Sequence, residues 1–83
     1  MNINVRLSAG LAPLAGKSRL QLNLAEPATV ADLLAQLRRE HPALVHRLPG
    51  AIPMIAGRHA LLTDALNPDQ EVAILLPVAG GAR

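Results

Sequence analysis

The sequence contains no cysteine and no aromatic residue, and each absence excludes a class of structure or chemistry. Without cysteine the 83-residue chain has no disulfide, no thiol nucleophile and no cysteine-based metal site. Without phenylalanine, tyrosine or tryptophan it has no ring on which a nucleic-acid base could stack. The hydrophobic core must therefore be built from aliphatic side chains, which supply the whole of the 51% hydrophobic content.

Strong charge and long apolar runs are also missing. The formal net charge is +2, and the eight basic residues are scattered along the chain, which is typical of solubilising surface charge. No apolar run approaches the roughly 18 residues that a membrane-spanning helix needs. No basic segment precedes an apolar block at the start of the chain, as it would in a signal peptide. We therefore expect no nucleic-acid partner, no membrane association and a cytoplasmic location.

Alternating hydrophobicity predicts two strands in the first part of the chain. Residues 2–8 alternate strictly between apolar and polar side chains, and residues 17–24 alternate again, with leucines at 20, 22 and 24 between polar residues. Between them, residues 9–16 contain two glycines and a proline and predict a loop. An antiparallel hairpin is the simplest pairing for two such strands.

The segment after Pro27 predicts one amphipathic helix. Thr29 is a good N-cap, Asp32 follows at the spacing of a capping box, and Pro42 ends the helix. The apolar residues recur at i, i+3, i+4 and i+7, which places them on one face: Val30, Leu33, Leu34 and Leu37.

The second half of the chain predicts short elements separated by turns. They are a helical turn at 43–48, a strand at 51–56, a turn at Gly57-Arg58 into a short strand at 60–62, a turn at 67–70 and a last strand at 71–76. The order β-β-α-β-(β)-β predicts an α+β domain with a mixed sheet and one main helix packed on one face. We expect residues 1–76 to form this domain and residues 77–83 to form a flexible tail.

One face of such a sheet is left without a covering helix. Alternation along the last strand would place Ala73 and Leu75 on this open face, with Ile55 beside them. Apolar side chains clustered there would indicate a docking surface. The alternative is that scattered exposed Leu and Ala residues are normal on any protein surface, and the sequence alone leaves both open.

The end of the chain is the most informative segment. Gly80-Gly81 follows the last strand closely, outside any turn between two elements. Glycine is costly to order and has no side chain to pack, so the pair suggests a slender tail that could enter a narrow channel in another protein. Ala82 and Arg83 follow, so the free carboxylate of the written sequence belongs to Arg83.

Together these features resemble the MoaD/ThiS sulfur-carrier family of ubiquitin-like β-grasp proteins. The resemblance covers nearly the whole chain and rests on the initial hairpin, on the helix start at 28–34 and on the sequence Leu-Asn-Pro-Asp-Gln-Glu-Val-Ala at 66–73. Its most specific part is Leu-Leu-Pro-Val-Ala-Gly-Gly at 75–81. The resemblance implies a ubiquitin-like β-grasp fold and a protein co-substrate, a small subunit that is not itself an enzyme.

The resemblance also implies roles for the tail residues. Gly81 would carry the acyl-adenylate and then the thiocarboxylate, while Leu75, Pro77, Val78, Ala79 and Gly80 would contact partners. Implied partners are an E1-like adenylyltransferase of the MoeB/ThiF type, a sulfurtransferase and an acceptor such as the large subunit of molybdopterin synthase. ATP would be used by the activating partner, and no cofactor would be bound by this chain.

Members of the family usually end at the second glycine, so Ala82-Arg83 is a departure. Our hypothesis is a proprotein cut between Gly81 and Ala82 by a processing metalloprotease. Two alternatives remain: a ubiquitin-like modifier joined to lysine through Gly81, and a non-reactive binding subunit with an uncleaved tail. The sequence does not distinguish a molybdopterin-type cofactor pathway from thiamine or another sulfur-containing product.

Two other motifs have simpler explanations. His41, His46 and His59 fit a helix end, a loop and a turn, so we expect no metal site. Gly16-Lys17-Ser18 resembles the end of a phosphate-binding loop, but the first glycine of that motif is misplaced and a strand follows instead of a helix.

Overall fold

The alternating segment at the start of the chain forms an antiparallel hairpin, as predicted. In a computed structural model, which describes residues 1–77, β1 (Asn2–Leu7) pairs with β2 (Arg19–Asn23) in the register Val5 to Leu20. The apolar side chains of both strands are buried and the polar ones face the opposite side. Because of this alternation, only one face of the hairpin is hydrophobic, and that face packs against the core.

The connection between these strands was predicted as a loop and instead contains a short helix. The helix α1 (Ala12–Ala15) begins with Pro13 in its first turn, where a missing N–H costs nothing. It ends at Gly16, whose φ of 82° lies in the left-handed region that glycine adopts readily. Leu11 is fully buried and attaches the connection to the core.

The main helix forms where the spacing predicted it. α2 (Val30–Glu40) begins with a complete capping box, in which the Asp32 N–H donates to Thr29 Oγ1 at 3.3 Å and the Thr29 N–H donates to Asp32 Oδ2 at 2.9 Å. Its four predicted apolar residues are all buried. Pro42 follows the helix and opens a 3-10 turn, Pro42–Leu44.

The second half supplies three short strands. They are β3 (Ile52–Ile55), β4 (Arg58–His59) and β5 (Glu71–Leu75), preceded by a second 3-10 turn, Leu48–Gly50. The strand predicted at 60–62 is not present, because Ala56 and Gly57 form the turn at positive φ and pairing with β3 starts immediately after them. Asp69 occupies the predicted turn before β5 with a φ of 63°.

The five strands form one mixed sheet in the order β2-β1-β5-β3-β4. Only the central pair is parallel: Val5 lies opposite Val72 and Leu7 opposite Ile74. One face of the sheet packs against α2 to form an aliphatic core, and within residues 1–77 no polar or charged side chain is buried. The predicted arrangement of a mixed sheet with one main helix is confirmed.

None of the helices in the described part of the chain combines the length and the hydropathy that crossing a bilayer requires.

The capping box leads to a stability prediction. Replacing Thr29 with alanine removes the acceptor for the Asp32 N–H, and we expect the free energy of unfolding to fall by about 1 kcal/mol. Urea denaturation followed by far-ultraviolet circular dichroism measures it, because the chain has no aromatic chromophore. Thr63→Ala, at an exposed threonine outside the helix, is the control and should change the value by less than about 0.5 kcal/mol. Equal losses in the two variants would contradict the role of the cap.

Candidate functional site

The end of β5 is fastened to the segment that follows β1. The Ser8 N–H donates to the Ile74 carbonyl at 3.0 Å, and the Leu76 N–H donates to Ser8 Oγ at 3.2 Å. The first bond belongs to the last pair of the parallel ladder, Leu7 with Ile74, and the second, to a side chain, holds the chain just beyond it. The base of the carboxyl-terminal segment is therefore fixed in place up to Leu76, and the chain leaves the sheet at Pro77.

Leu76 is seated in the fold by its side chain as well. It is half-buried, packs against the core and lies directly over Gly10. A Cβ at position 10 would stand 2.8 Å from Leu76 Cδ1, closer than any ordinary contact. Gly10 therefore gives Leu76 its space. In the sequence Gly10 is one residue of a predicted loop, and a glycine close after a strand gives no sign of which side chain will approach it.

The point at which the chain leaves the sheet, between Leu76 and Pro77, is called the exit below. Next to it, the uncovered face of the sheet carries a depression lined mainly by apolar side chains. Leu75 is 37% exposed there, whereas its neighbour Ala73 is only 5% exposed. Together with Met54 on β3, Glu71 on β5 and Arg6 on β1, these residues line a depression of about 200 Å³. Ala73 forms its floor because the small side chain is enclosed by longer neighbours.

The structure corrects part of the expectation for this face. Leu75 and Ala73 both lie on the open face as predicted, although Ala73 is only 5% exposed because its neighbours cover it. Ile55 belongs to the other side and packs against the core. It follows Pro53, which lies opposite the buried Ile74, so strand alternation directs both Pro53 and Ile55 inward.

Basic and polar side chains occupy the other half of the open face. Arg6 lies opposite Arg19 in the hairpin register, and both are exposed. Beside them the Gln21 amide donates to Asn4 Oδ1 at 3.0 Å. Two like charges directly opposite each other on a sheet are unfavourable. Glu71 of β5 is exposed on the same face and lines the depressions beside both arginines, so it offsets part of this repulsion. The sequence separates the two arginines by a loop, so only the pairing register reveals that they are neighbours.

Two of the acidic residues serve local structure. Asp32 completes the helix cap, and Asp64 accepts a hydrogen bond from the Leu61 N–H at 2.9 Å. Within residues 1–77, no group of three histidine, aspartate or glutamate side chains is arranged to hold a metal ion. His41 caps the end of α2, and His59 lies in β4.

The remaining predicted site residues, Val78, Ala79, Gly80, Gly81 and Ala82, lie outside the described residues. The predicted division between a domain at 1–76 and a tail at 77–83 is likewise untested beyond Pro77 and stays a prediction. The structure does show where this segment begins. It begins at the end of the sheet where β1 and β5 both finish, beside the loop that follows β1.

Comparison with known proteins agrees with the resemblance seen in the sequence. A family model described as the ThiS family matches residues 5–81. SAMP1 from Haloferax volcanii is similar in structure, with a TM-score of 0.89 and 30% identity over 98% of this chain and 100% of that chain. The chain has no significant match among curated proteins.

Two further solved structures share the fold. The small archaeal modifier protein 1 from Methanosarcina acetivorans has a TM-score of 0.80 and 27% identity, covering 96% of each chain. A putative molybdopterin converting factor, subunit 1, from Pyrococcus furiosus has a TM-score of 0.84 over 94% of this chain and 99% of that chain. Its identity is 21%, so this likeness concerns the fold alone. These matches confirm the predicted ubiquitin-like β-grasp class.

The close approach at Gly10 can be tested with a matched pair of variants. Gly10→Ala places a methyl group against Leu76, so we expect the Leu76 and Ser8 amide resonances to shift and the free energy of unfolding to fall by about 1 kcal/mol. Gly50→Ala is the control, because a Cβ there meets no heavy atom within 4 Å. Amide spectra in which both variants leave Leu76 unmoved would contradict the packing of the exit.

Proposed function

The chain belongs to the ThiS family of ubiquitin-like carriers, and on that premise we propose that it is a sulfur carrier whose Gly81 becomes a thiocarboxylate. The observation that carries the proposal is the extent of the family match, which runs from residue 5 through both glycines and stops at Gly81. The two residues after the match, Ala82 and Arg83, are those that we propose a metalloprotease removes.

The chemistry needs an activating partner. A carboxylate is anionic and resonance-stabilised, so it resists nucleophilic attack until it carries a leaving group. We propose that an E1-like adenylyltransferase joins the Gly81 carboxylate to the α-phosphate of ATP, with release of pyrophosphate. A sulfurtransferase then presents sulfur at the oxidation level of sulfide, which attacks the acyl carbon; the C–O bond to AMP breaks, and AMP leaves with the electron pair. The chain contributes the acyl group and the surface by which partners recognise it, and the barrier-lowering groups belong to those partners.

The geometry of the exit supports a chain that presents the acyl group while its partners catalyse the reaction. Leu76 is held by backbone and side-chain contacts, so residues from Pro77 onward start from a fixed position and direction. Proline at 77 restricts φ at the first residue beyond the sheet. Glycine at 80 and 81 carries no Cβ that would shield the acyl carbon or keep a partner's backbone at a distance.

The open face supplies a surface for docking beside the exit. We propose that partners place an apolar group into the depression at Leu75 and Ala73 and a carboxylate near Arg6 and Arg19. The contacts made by Val78, Ala79 and Gly80 would then lie inside the partner's cavity. The acceptor would be a synthase large subunit, as in molybdopterin synthase, and the cytoplasmic location expected from the sequence stays a prediction.

A second function shares the same activated carboxylate. The similarity to SAMP1 from Haloferax volcanii, at 30% identity, favours a protein modifier joined to lysine through Gly81. Gly81 found in isopeptide linkage to other proteins of the host would support the modifier. A third reading, a non-reactive binding subunit, would be supported if Gly81→Ala left function intact.

The central test uses the chain ending at Gly81. Incubated with ATP, a host E1-like enzyme and a sulfur donor, it should gain the mass of one sulfur in place of one oxygen. The chain ending at Arg83 should remain unchanged under the same conditions, because its terminal carboxylate is displaced from the family's position. Intact-mass spectrometry makes the measurement. Failure of the Gly81-ended chain to form either an acyl-adenylate or a thiocarboxylate would refute the proposal.

The docking face gives a separate prediction. Leu75→Glu introduces a carboxylate at an exposed position beside the exit, and we expect kcat/KM for adenylation to fall at least about tenfold, or ~1.4 kcal/mol. Leu62→Glu is the matched control: Leu62 is 56% exposed and lies in the connection between β4 and β5. Pyrophosphate release measures the rate. Equal loss in the two variants would exclude a specific role for the open face.

A further inference from the structure

One edge of the sheet is formed by β2, which pairs with β1 and with no other strand of the described residues. The Leu7 N–H donates to the Ser18 carbonyl at 2.8 Å, which fixes the phase of this antiparallel ladder. Even-numbered residues of β2 therefore direct their backbone groups toward β1, and odd-numbered residues direct theirs outward. The outer edge consists of the N–H and C=O groups of Arg19, Gln21 and Asn23, whose side chains are all exposed.

This outer edge lacks the features that usually keep one sheet from joining another. Within residues 1–77, its backbone groups make no hydrogen bond to another segment of the chain. The register of β2 on β1 skips no residue, so the strand has no bulge, and it contains no proline. Its single charge, Arg19, stands at one end. The opposite edge is different, because β4 is only two residues long.

The outward residues of β2 are complementary to those of a second copy. Antiparallel pairing about a two-fold axis at Gln21 places this residue opposite its own counterpart, and Arg19 opposite the other copy's Asn23. This is the one register that pairs all three outward residues. Because each hydrogen-bonded pair exchanges two bonds, it gives about six bonds between the copies. Each arginine faces a neutral amide, so no like charges stand opposite each other.

We propose that the outer edge of β2 is a self-association site, at which two copies of the chain join their sheets into one continuous sheet. The side chains fit this register. Arg19 lies opposite Arg6 within its own sheet and gains an amide oxygen as acceptor from the other copy. The Met1 ammonium lies 3.4 Å from Asn23 Oδ1 and 2.6 Å from the Leu24 carbonyl, so the amide oxygen keeps a lone pair for the arginine.

This pairing leaves the exit free. Because β5 runs parallel to β1, the amino terminus and the exit lie at opposite ends of each sheet. Two antiparallel copies therefore direct their exits toward opposite ends of the joined sheet. The two-fold axis is perpendicular to the sheet, so the depressions at Leu75 face the same side and stay uncovered. The proposal does not depend on the acyl chemistry of the proposed function.

Sedimentation equilibrium of the full chain tests the association, with interference optics because no aromatic residue absorbs. An edge of five residues buries little area, so we expect a weak dimer that is monomeric when dilute and substantially dimeric by about 1 mM. Amide hydrogen exchange locates the contact. At the high concentration, exchange should slow at Gln21 and its two outward neighbours, but not at Leu22, whose N–H already faces β1.

Two substitutions at one position test the register. Asn23→Glu places a carboxylate opposite the other copy's Arg19, twice per dimer, so we expect the dimer Kd to fall about two- to tenfold. Asn23→Arg places like charges there, and Kd should rise by a similar factor. Thr63→Glu and Thr63→Arg are the matched controls, because they change the net charge equally at an exposed position outside β2. Circular dichroism establishes that each variant is folded.

Three outcomes would overturn the proposal. The first is a chain that stays monomeric at about 1 mM, even if its edge accepts a strand of another protein. The second is a dimer whose protected amides lie elsewhere, such as beside Leu61 and Leu62, the two most exposed large apolar side chains described. The third is a pair of Asn23 variants that shift Kd no more than the Thr63 pair. None of them bears on thiocarboxylate formation, which is measured separately by mass.

Discussion

The parallel pairing of β1 with β5 is the constraint on which the rest of the structure depends. It brings Val5 beside Val72 and Leu7 beside Ile74, residues far apart in sequence that together form the middle of the core. Parallel strands run in one direction, so the end of β5 must meet the loop that follows β1. The hydrogen bonds to Ser8 and the contact over Gly10 follow from this arrangement. Without the pairing, the last residues would have no fixed point of departure.

Local patterns in the sequence predicted the elements that depend on neighbouring residues. Alternation gave the hairpin, and Thr29 with Asp32 gave the start of α2, because caps and periodicity act within a few residues. The sheet order was beyond reach, since it depends on contacts between distant segments. For the same reason Ile55 was assigned to the wrong face.

The candidate site was predictable to the same degree. Leu75 and the glycines could be named from their position and type, and Leu75 does lie on the open face. The contact of Leu76 with Gly10 could not be predicted, nor could the pairing of Arg6 with Arg19. Each depends on how distant strands are aligned with one another. The short helix α1 was also missed: its four residues give too little periodicity to distinguish a helical turn from a loop.

The opposite placement of the two chain ends has a practical consequence. A fluorescent reporter or an affinity tag fused before Met1 would lie at the end of the sheet opposite Pro77. A protein that binds the carboxyl-terminal segment would therefore not collide with it. Such a fusion converts the terminal ammonium into an amide with a single hydrogen, which can still reach the Leu24 carbonyl but carries no charge. The same fusion at the carboxyl terminus would obstruct the segment that partners are proposed to bind.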